Sequence, residues 1–220
     1  MGQELLLLKA LLAYVVLLGS VVFHEYFHAC MAQRLGDNSP ALRARLTLDP
    51  RPHIDKIGTV ILPLIVLIIG SPILIGWAKP VPVNVYNLRN PKKDMMLIGA
   101  SGPLTNFALA FIFTLLFKTG IFPAGSLAEA FIAFTIFLNL ILATFNLIPL
   151  PPLDGSHILF GLLPSDWERK YIKIQPFAIY ILIFLVFTGI LRLIIFPVFY
   201  IWTDLFNINF ITPALTLLGR

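Results

Sequence analysis

Long apolar runs separated by short polar stretches set the pattern of this chain, and the polar stretches carry most of its charge. Runs near 4–34, 57–78, 95–118, 127–150 and 176–199 are each of a length to cross a hydrocarbon layer of about 30 Å, which takes about 20 helical residues. A semi-polar piece with Trp202, Asp204 and Asn207 follows and leaves a sixth segment arguable. The pattern predicts an all-α integral membrane protein, a bundle of about five to six transmembrane helices. The run 57–78 is set apart by Pro63, Gly70, Pro72 and Gly76, with Lys56 before it and Lys79, Arg89, Lys92 and Lys93 after it. Cationic flanks on both sides of an interrupted run predict a broken or re-entrant element that returns to the side it left. PVPVNVY beyond it has β character, so short β elements are expected in the loops. No internal repeat, low-complexity tract or appended soluble domain is visible. We therefore expect a single membrane-embedded domain over 1–220, with a core at about 4–165 and C-terminal helices at about 176–220.

Composition agrees with a lipid bilayer as the surrounding solvent: 58% of residues are hydrophobic, only 12% are charged, and nineteen are phenylalanine. The mean hydropathy is +0.89, far from ordinary globular usage. The apolar start carries Glu4 and Lys9 and lacks a clean small-residue cleavage site, so it is expected to be retained. A single cysteine, Cys30, excludes a disulfide framework and a multi-cysteine zinc site, which leaves His, Asp and Glu as the ligands for any metal. The formal charge of +5 is topological information, and nothing in its distribution points to nucleic acid. Arg34, Arg43, Arg45 and Arg51 follow the first run and place its C-terminal end on the cytoplasmic side.

That end reads FHEYFHACMAQRLGD. His24 and His28 lie four residues apart, one turn along the same helix face, a spacing that lets two imidazoles grip one zinc with Glu25 beside its water. Ionisable groups at membrane depth are costly unless paired, ligated or facing a water-filled cavity, so the motif points to function. A catalytic zinc wants three protein ligands and one open position, so a third is owed. NLIPLPPLDGSH at 146–157 offers Asp154 after a break made by Pro149, Pro151 and Pro152, with Gly155 permitting an unusual backbone angle. LDG also fits a simple turn at a membrane exit, and His157 is a competing ligand three residues on. If 57–78 returns to its starting side, 95–118 runs outward, 127–150 runs inward, and Asp154 arrives beside the histidines. Of the remaining candidates, His53 in LDPRPHID is expected to bond its loop. Cys30, about 200° around the helix from His28, is expected to pack.

HEYFH, GASGPLTN at 99–106 and NLIPLPPLDG at 146–155, in that order, resemble the site-2 protease family of intramembrane zinc metalloproteases. The resemblance covers roughly residues 10 to 165. GWAKPVPVN at 76–84 is similar to the compact members without PDZ or CBS modules. It implies Zn²⁺ held by His24, His28 and Asp154, Glu25 as general base, and a role for Asn106 and Asn146 near the site in substrate handling or at the oxyanion. The chain departs from many members in having Ser156 and His157 after the DG pair, which keeps His157 open as a ligand. The function implied is hydrolysis of a peptide bond in or near the transmembrane segment of a membrane-protein substrate. The implied location is the cell inner (plasma) membrane, with the active site nearer the cytoplasm. A metal transporter would also gather His and Asp inside a bundle, but it normally shows inverted repeats, which are not visible here. A scaffold with an inactive site is the other alternative. The oligomeric state is not legible in the sequence.

Overall fold

The computed structural model describes residues 2–68 and 76–218. The first helix, α1 (Gln3–Arg34), runs unbroken through the longest apolar run, with Glu4 in its first turn and Arg34 in its last, each complementing the helix dipole. A short α2 (Pro40–Arg43) is capped by Ser39, whose side chain accepts from Leu42 N–H. A π-helical turn at Lys56–Ile61 leads into α3 (Leu62–Ile68).

Next comes α4 (Pro91–Lys118), which begins at a proline suited to a first helical turn. Its Asp94 carboxylate accepts the Asn90 N–H at 2.7 Å. Then α5 (Leu127–Asn146) opens on a reciprocal cap: Ser126 Oγ accepts from Glu129 N–H, and Glu129 Oε2 accepts from Gly125 N–H. The remaining helices are α6 (Asp154–Leu162), α7 (Ser165–Ile174), α8 (Ala178–Phe187), α9 (Leu191–Phe206) and α10 (Ile211–Leu217).

At the centre α4 packs against α1, α5 and α6, while α5 also meets α1, α9 and α10. Ala13, Ala110, Ala130 and Ala133 are buried in this core beside Phe134, Phe199 and Phe210. Small residues let the backbones approach closely, which matters in lipid, where burying apolar surface gives no advantage over contact with acyl chains. The outer surface is correspondingly apolar, with Leu7, Leu104, Phe187 and Leu193 all exposed.

Four helical stretches among the described residues are long and apolar enough to cross a membrane: Glu4–Arg34, Pro91–Lys118, Leu127–Asn146 and Ser165–Phe187. The fourth joins α7 to α8 through a 3-10 turn, and α7 alone carries Asp166, Glu168, Arg169, Lys170 and Lys173, the composition of an interfacial helix. The run expected at 176–199 is not one helix. Gly189, with φ of +73°, takes a left-handed turn between α8 and α9 and redirects the chain. No strand forms among the described residues. Residues 78–83 lie outside helix and strand, and Pro80 and Pro82 bias them to extended backbone, so the β character of PVPVNVY appears without a paired strand.

The flanks of the interrupted run 57–78 lie side by side: Trp77 N–H donates to Gly58 O at 3.2 Å and Lys79 N–H to His53 O at 2.9 Å. The segment therefore ends where it began, although its residues 69–75 lie outside the described part. Its start is tied to α1 by the Tyr14 hydroxyl, which donates to Thr59 O at 2.9 Å.

Candidate metal centre

His24 and His28 project from the last turns of α1 onto α4, and Asp154 reaches them from the first turn of α6. Nε2 of His24 lies 3.0 Å from Nε2 of His28 and 3.1 Å from Oδ2 of Asp154, and Nε2 of His28 is 3.3 Å from Oδ1 of Asp154. These are the only three such groups among the described residues whose donor atoms converge closely enough to hold one ion.

Hydrogen bonds on the far side of each ring fix the tautomers. His28 Nδ1 is 2.7 Å from Ile98 O, and a backbone carbonyl only accepts, so the proton sits on Nδ1. For His24 the same conclusion travels through two side-chain amides. Asn139 Nδ2 donates to Thr135 O at 2.9 Å and to Ser20 Oγ at 2.9 Å, which turns Asn139 Oδ1 towards Asn106. Asn106 Nδ2 then donates to that oxygen at 2.8 Å, so Asn106 Oδ1 accepts from His24 Nδ1 at 2.6 Å.

In the neutral rings both Nε2 lone pairs consequently face a carboxylate at about 3 Å, and Asp154 Oδ2 is buried without a hydrogen-bond donor. Three converging groups of this kind suit a cation. The spacings match the edge of about 3.3 Å in a tetrahedron with metal–ligand bonds of about 2.0–2.1 Å, so the donor set fits zinc.

Close backbone approach makes the cluster possible. A Cβ on Gly102 of α4 would stand 2.3 Å from His28 Nε2 and 2.6 Å from His24 Nε2. A Cβ on Gly155 would meet the carbonyls of Leu147 and Ile148 at 2.2 and 2.5 Å. Gly155 is thus needed for space and not for the unusual backbone angle expected from the sequence, since it is absent from the positive-φ residues. The turns that aim Asp154 follow the proline-rich break, where Leu150 N–H donates to Ile148 O and Leu153 N–H to Leu150 O.

A cavity of about 540 Å³ opens onto the cluster, lined by Glu25, Asn146 and His157 together with apolar Val21, Trp77, Val81, Leu142 and Phe145. Glu25 stands beside the cluster without joining it, its Oε2 accepting Val81 N–H at 3.2 Å. His157 lines the cavity outside the three-residue cluster, its Cβ against the Gly99 backbone. Asn146, expected from the resemblance to act on substrate, is at the cavity wall with its amide donating to Leu142 O at 2.9 Å.

Asn106 differs from the expectation. It is 0% exposed and both ends of its amide are engaged, so it orients His24 and has no donor left for an oxyanion. Asn139 and Ser20 were not legible as site residues, being single polar positions inside apolar runs whose partner Asn106 is remote in sequence. The signal available was the price lipid sets on an unpartnered amide at depth. His53 holds Thr47 O at 2.9 Å, as expected of a loop-bonding histidine.

The family model described as Peptidase family M50 matches residues 122–189, which include the Asp154 motif. The chain is 34% identical over 197 residues, 86% of each chain, to the protein of Bacillus subtilis (strain 168) named as a zinc metalloprotease, YwhC. It is 31% identical over 190 residues to Rip2 of Mycobacterium tuberculosis (strain ATCC 25618 / H37Rv), also named as a zinc metalloprotease, covering 86% of this chain and 72% of that one. Against MJ0611 of Methanocaldococcus jannaschii, with the same kind of name, identity is 33% over 138 residues, 63% of each chain. No solved structure matches. With 34% identity sustained across 86% of both chains, this protein belongs to peptidase family M50, the site-2 protease family, and is a zinc metalloprotease of the membrane.

Proposed function

We propose that this protein cuts a peptide bond in or near the membrane-spanning segment of another membrane protein, with zinc on His24, His28 and Asp154 and Glu25 as general base. The observation that carries this reading is the convergence of two Nε2 lone pairs and a carboxylate at 3.0–3.3 Å beside Glu25, in a cavity among the spanning helices. When bound, zinc polarises the scissile carbonyl and acidifies a water molecule.

The chain's own residues supply the rest. Glu25 takes the proton of the attacking water on a carboxylate oxygen and returns it to the departing amine. Asn106, through His24 Nδ1, keeps the imidazole lone pair on the metal side. Asn146 faces substrate from the cavity wall. The apolar lining from Val21, Trp77, Leu142 and Phe145 suits a hydrophobic segment with its helix opened, because a helical amide is bonded internally and shielded. Residues 78–83 run along the same cavity: Pro80 and Pro82 lack N–H groups, and the N–H groups of Lys79 and Val81 are held by His53 O and Glu25, so Val83 N–H is the donor of this stretch left to meet such a segment. Residues 1–220 act as one domain in the cell inner (plasma) membrane. The arginines after α1 support a site towards the cytoplasm.

Co-expression with a panel of single-span membrane proteins tests the reading. Glu25→Gln is expected to keep about one equivalent of zinc and lose cleavage by at least 100-fold, the scale of a lost general base. Asp154→Asn is expected to lose both zinc and cleavage, and His157→Ala to keep both. Turnover by Glu25→Gln, or zinc lost from His157→Ala and retained by Asp154→Asn, overturns the assignments.

A further inference from the structure

Outside the metal cluster, two buried charged side chains, Asp37 and Arg45, direct their charge at the backbone of a single segment. They are 0% and 5% exposed. Arg45 donates from Nη1 to Lys79 O at 3.0 Å and from Nη2 to Pro80 O at 3.2 Å. Asp37 accepts Asn84 N–H on Oδ2 at 2.7 Å and Asn87 Nδ2 on Oδ1 at 3.0 Å. A buried charge is tolerated only where fixed dipoles replace its water, so each of these groups demands that its backbone partners stay in place. Residues 79–84 are therefore clamped at both ends.

Between the clamps lies one contact with the catalytic machinery, the Val81 N–H on Glu25 Oε2. The side chains of Val81 and Val83 pack against the cluster that includes Ala29 and Ala32 of α1, while Pro80 and Pro82 are exposed. In an extended chain the N–H groups of residues 79, 81 and 83 share one edge, and here Lys79 N–H donates to His53 O and Val81 N–H to Glu25. Glu25 itself is a three-rotor side chain beside a cavity. A backbone amide held by two buried charges is a far stiffer partner than another side chain.

We propose that residues 79–84 form a fixed strap whose Val81 amide places the Glu25 carboxylate, and that Asp37 and Arg45 are positioning residues for Glu25 acting through that strap. The proposal rests on the reading of Glu25 as general base. Val81→Pro removes one hydrogen-bond donor from a segment that is already proline-rich and extended, whereas Val81→Ala removes side chain and keeps the donor.

The experiment pairs turnover of a single-span reporter, carrying donor and quencher dyes on either side of its span, with amide hydrogen exchange of the strap in the full-length protein. Val81→Pro is expected to lower kcat about tenfold below that of Val81→Ala, with KM and zinc content alike in the two variants. The Val81 amide is expected to exchange slowly in wild type and freely in Glu25→Ala. In Arg45→Lys, which keeps the charge but not the fork onto two carbonyls, Val81 exchange is expected to rise at least tenfold and kcat to fall with it. Equal kcat in Val81→Pro and Val81→Ala, or a Val81 amide that exchanges alike in wild type and Glu25→Ala, overturns the proposal. A wild type that protects Val81 in the expected way but cuts no reporter leaves the strap contact standing and overturns the proteolytic reading instead.

Discussion

Asn139 touches neither metal nor substrate, yet it decides which nitrogen of His24 is free. Its amide is pinned by the Thr135 carbonyl, and that orientation passes through Asn106 to the imidazole. Asn139→Leu removes the donor and acceptor together, so Asn106 loses the bond that keeps its oxygen towards His24 and becomes free to flip. We expect zinc affinity to fall about 10–100-fold, the range for partners that orient a ligand, as measured by competition with a chromophoric chelator. Helix content should stay as in wild type by circular dichroism. At this scale the sequence was most informative where the chemistry is local. His24, Glu25 and His28 share two turns of one helix, and their spacing alone defines their geometry. Asn106 was visible as a residue but not in its role, because the role depends on Asn139, which lies 33 positions away on another helix.

The strap and the loop before it behave as one element bound by Asp37. Burial alone would raise this carboxyl, but bonds from Asn84 N–H, Asn87 Nδ2 and Ser39 N–H outweigh it and hold the group below its ordinary value of 3.8. A carboxylate with a depressed folded-state pKa adds stability that is complete above the unfolded value and disappears as pH falls through the folded one. The stability difference between wild type and Asp37→Asn is thus expected to be constant above about pH 5 and to shrink below the ordinary carboxylate range. Thermal scans of both proteins from pH 7 down to pH 3 measure it; a difference that grows on acidification contradicts the contact. The alternation of proline and valine in PVPVN was legible as extended chain. Its place over Glu25 was not, since that depends on two charges from a loop forty residues earlier whose spacing carries no motif.

For the molecule as a whole, the paired flanks of run 57–78 bear directly on topology. Asp37 binds both Asn84 and Asn87, so the loop after α1 and the strap after the interrupted run occupy the same side. Single cysteines at Asn38 and at Tyr86, which is 94% exposed, in a Cys30→Ala background are expected to react with a membrane-impermeant maleimide from one and the same side. Inverted vesicles identify that side, which we expect to be the cytoplasmic one. Reaction from opposite sides contradicts the fold. The bundle and its interrupted run were readable from hydropathy and flanking charge. Beside the expected five to six spans, four stretches qualify among the described residues, and the count depends on backbone geometry. Gly189 turns the last apolar run between α8 and α9, and charged α7 shares a continuous stretch with apolar α8.

The three candidate ligands also impose an order in time. His24 and His28 belong to a helix made before α4 and α6, and Asp154 is added 126 residues after His28. At translation rates of about 5–20 residues per second, the first span waits roughly 6–25 seconds before its third ligand exists. Throughout that interval α1 sits in the bilayer with two imidazoles and a carboxylate but no complete metal site, surrounded by other nascent membrane proteins. With Asp154 as the third ligand, a nascent chain is expected to be inert towards its neighbours until α6 has been made and has docked on α4, so that assembly of the fold itself delays the onset of proteolysis.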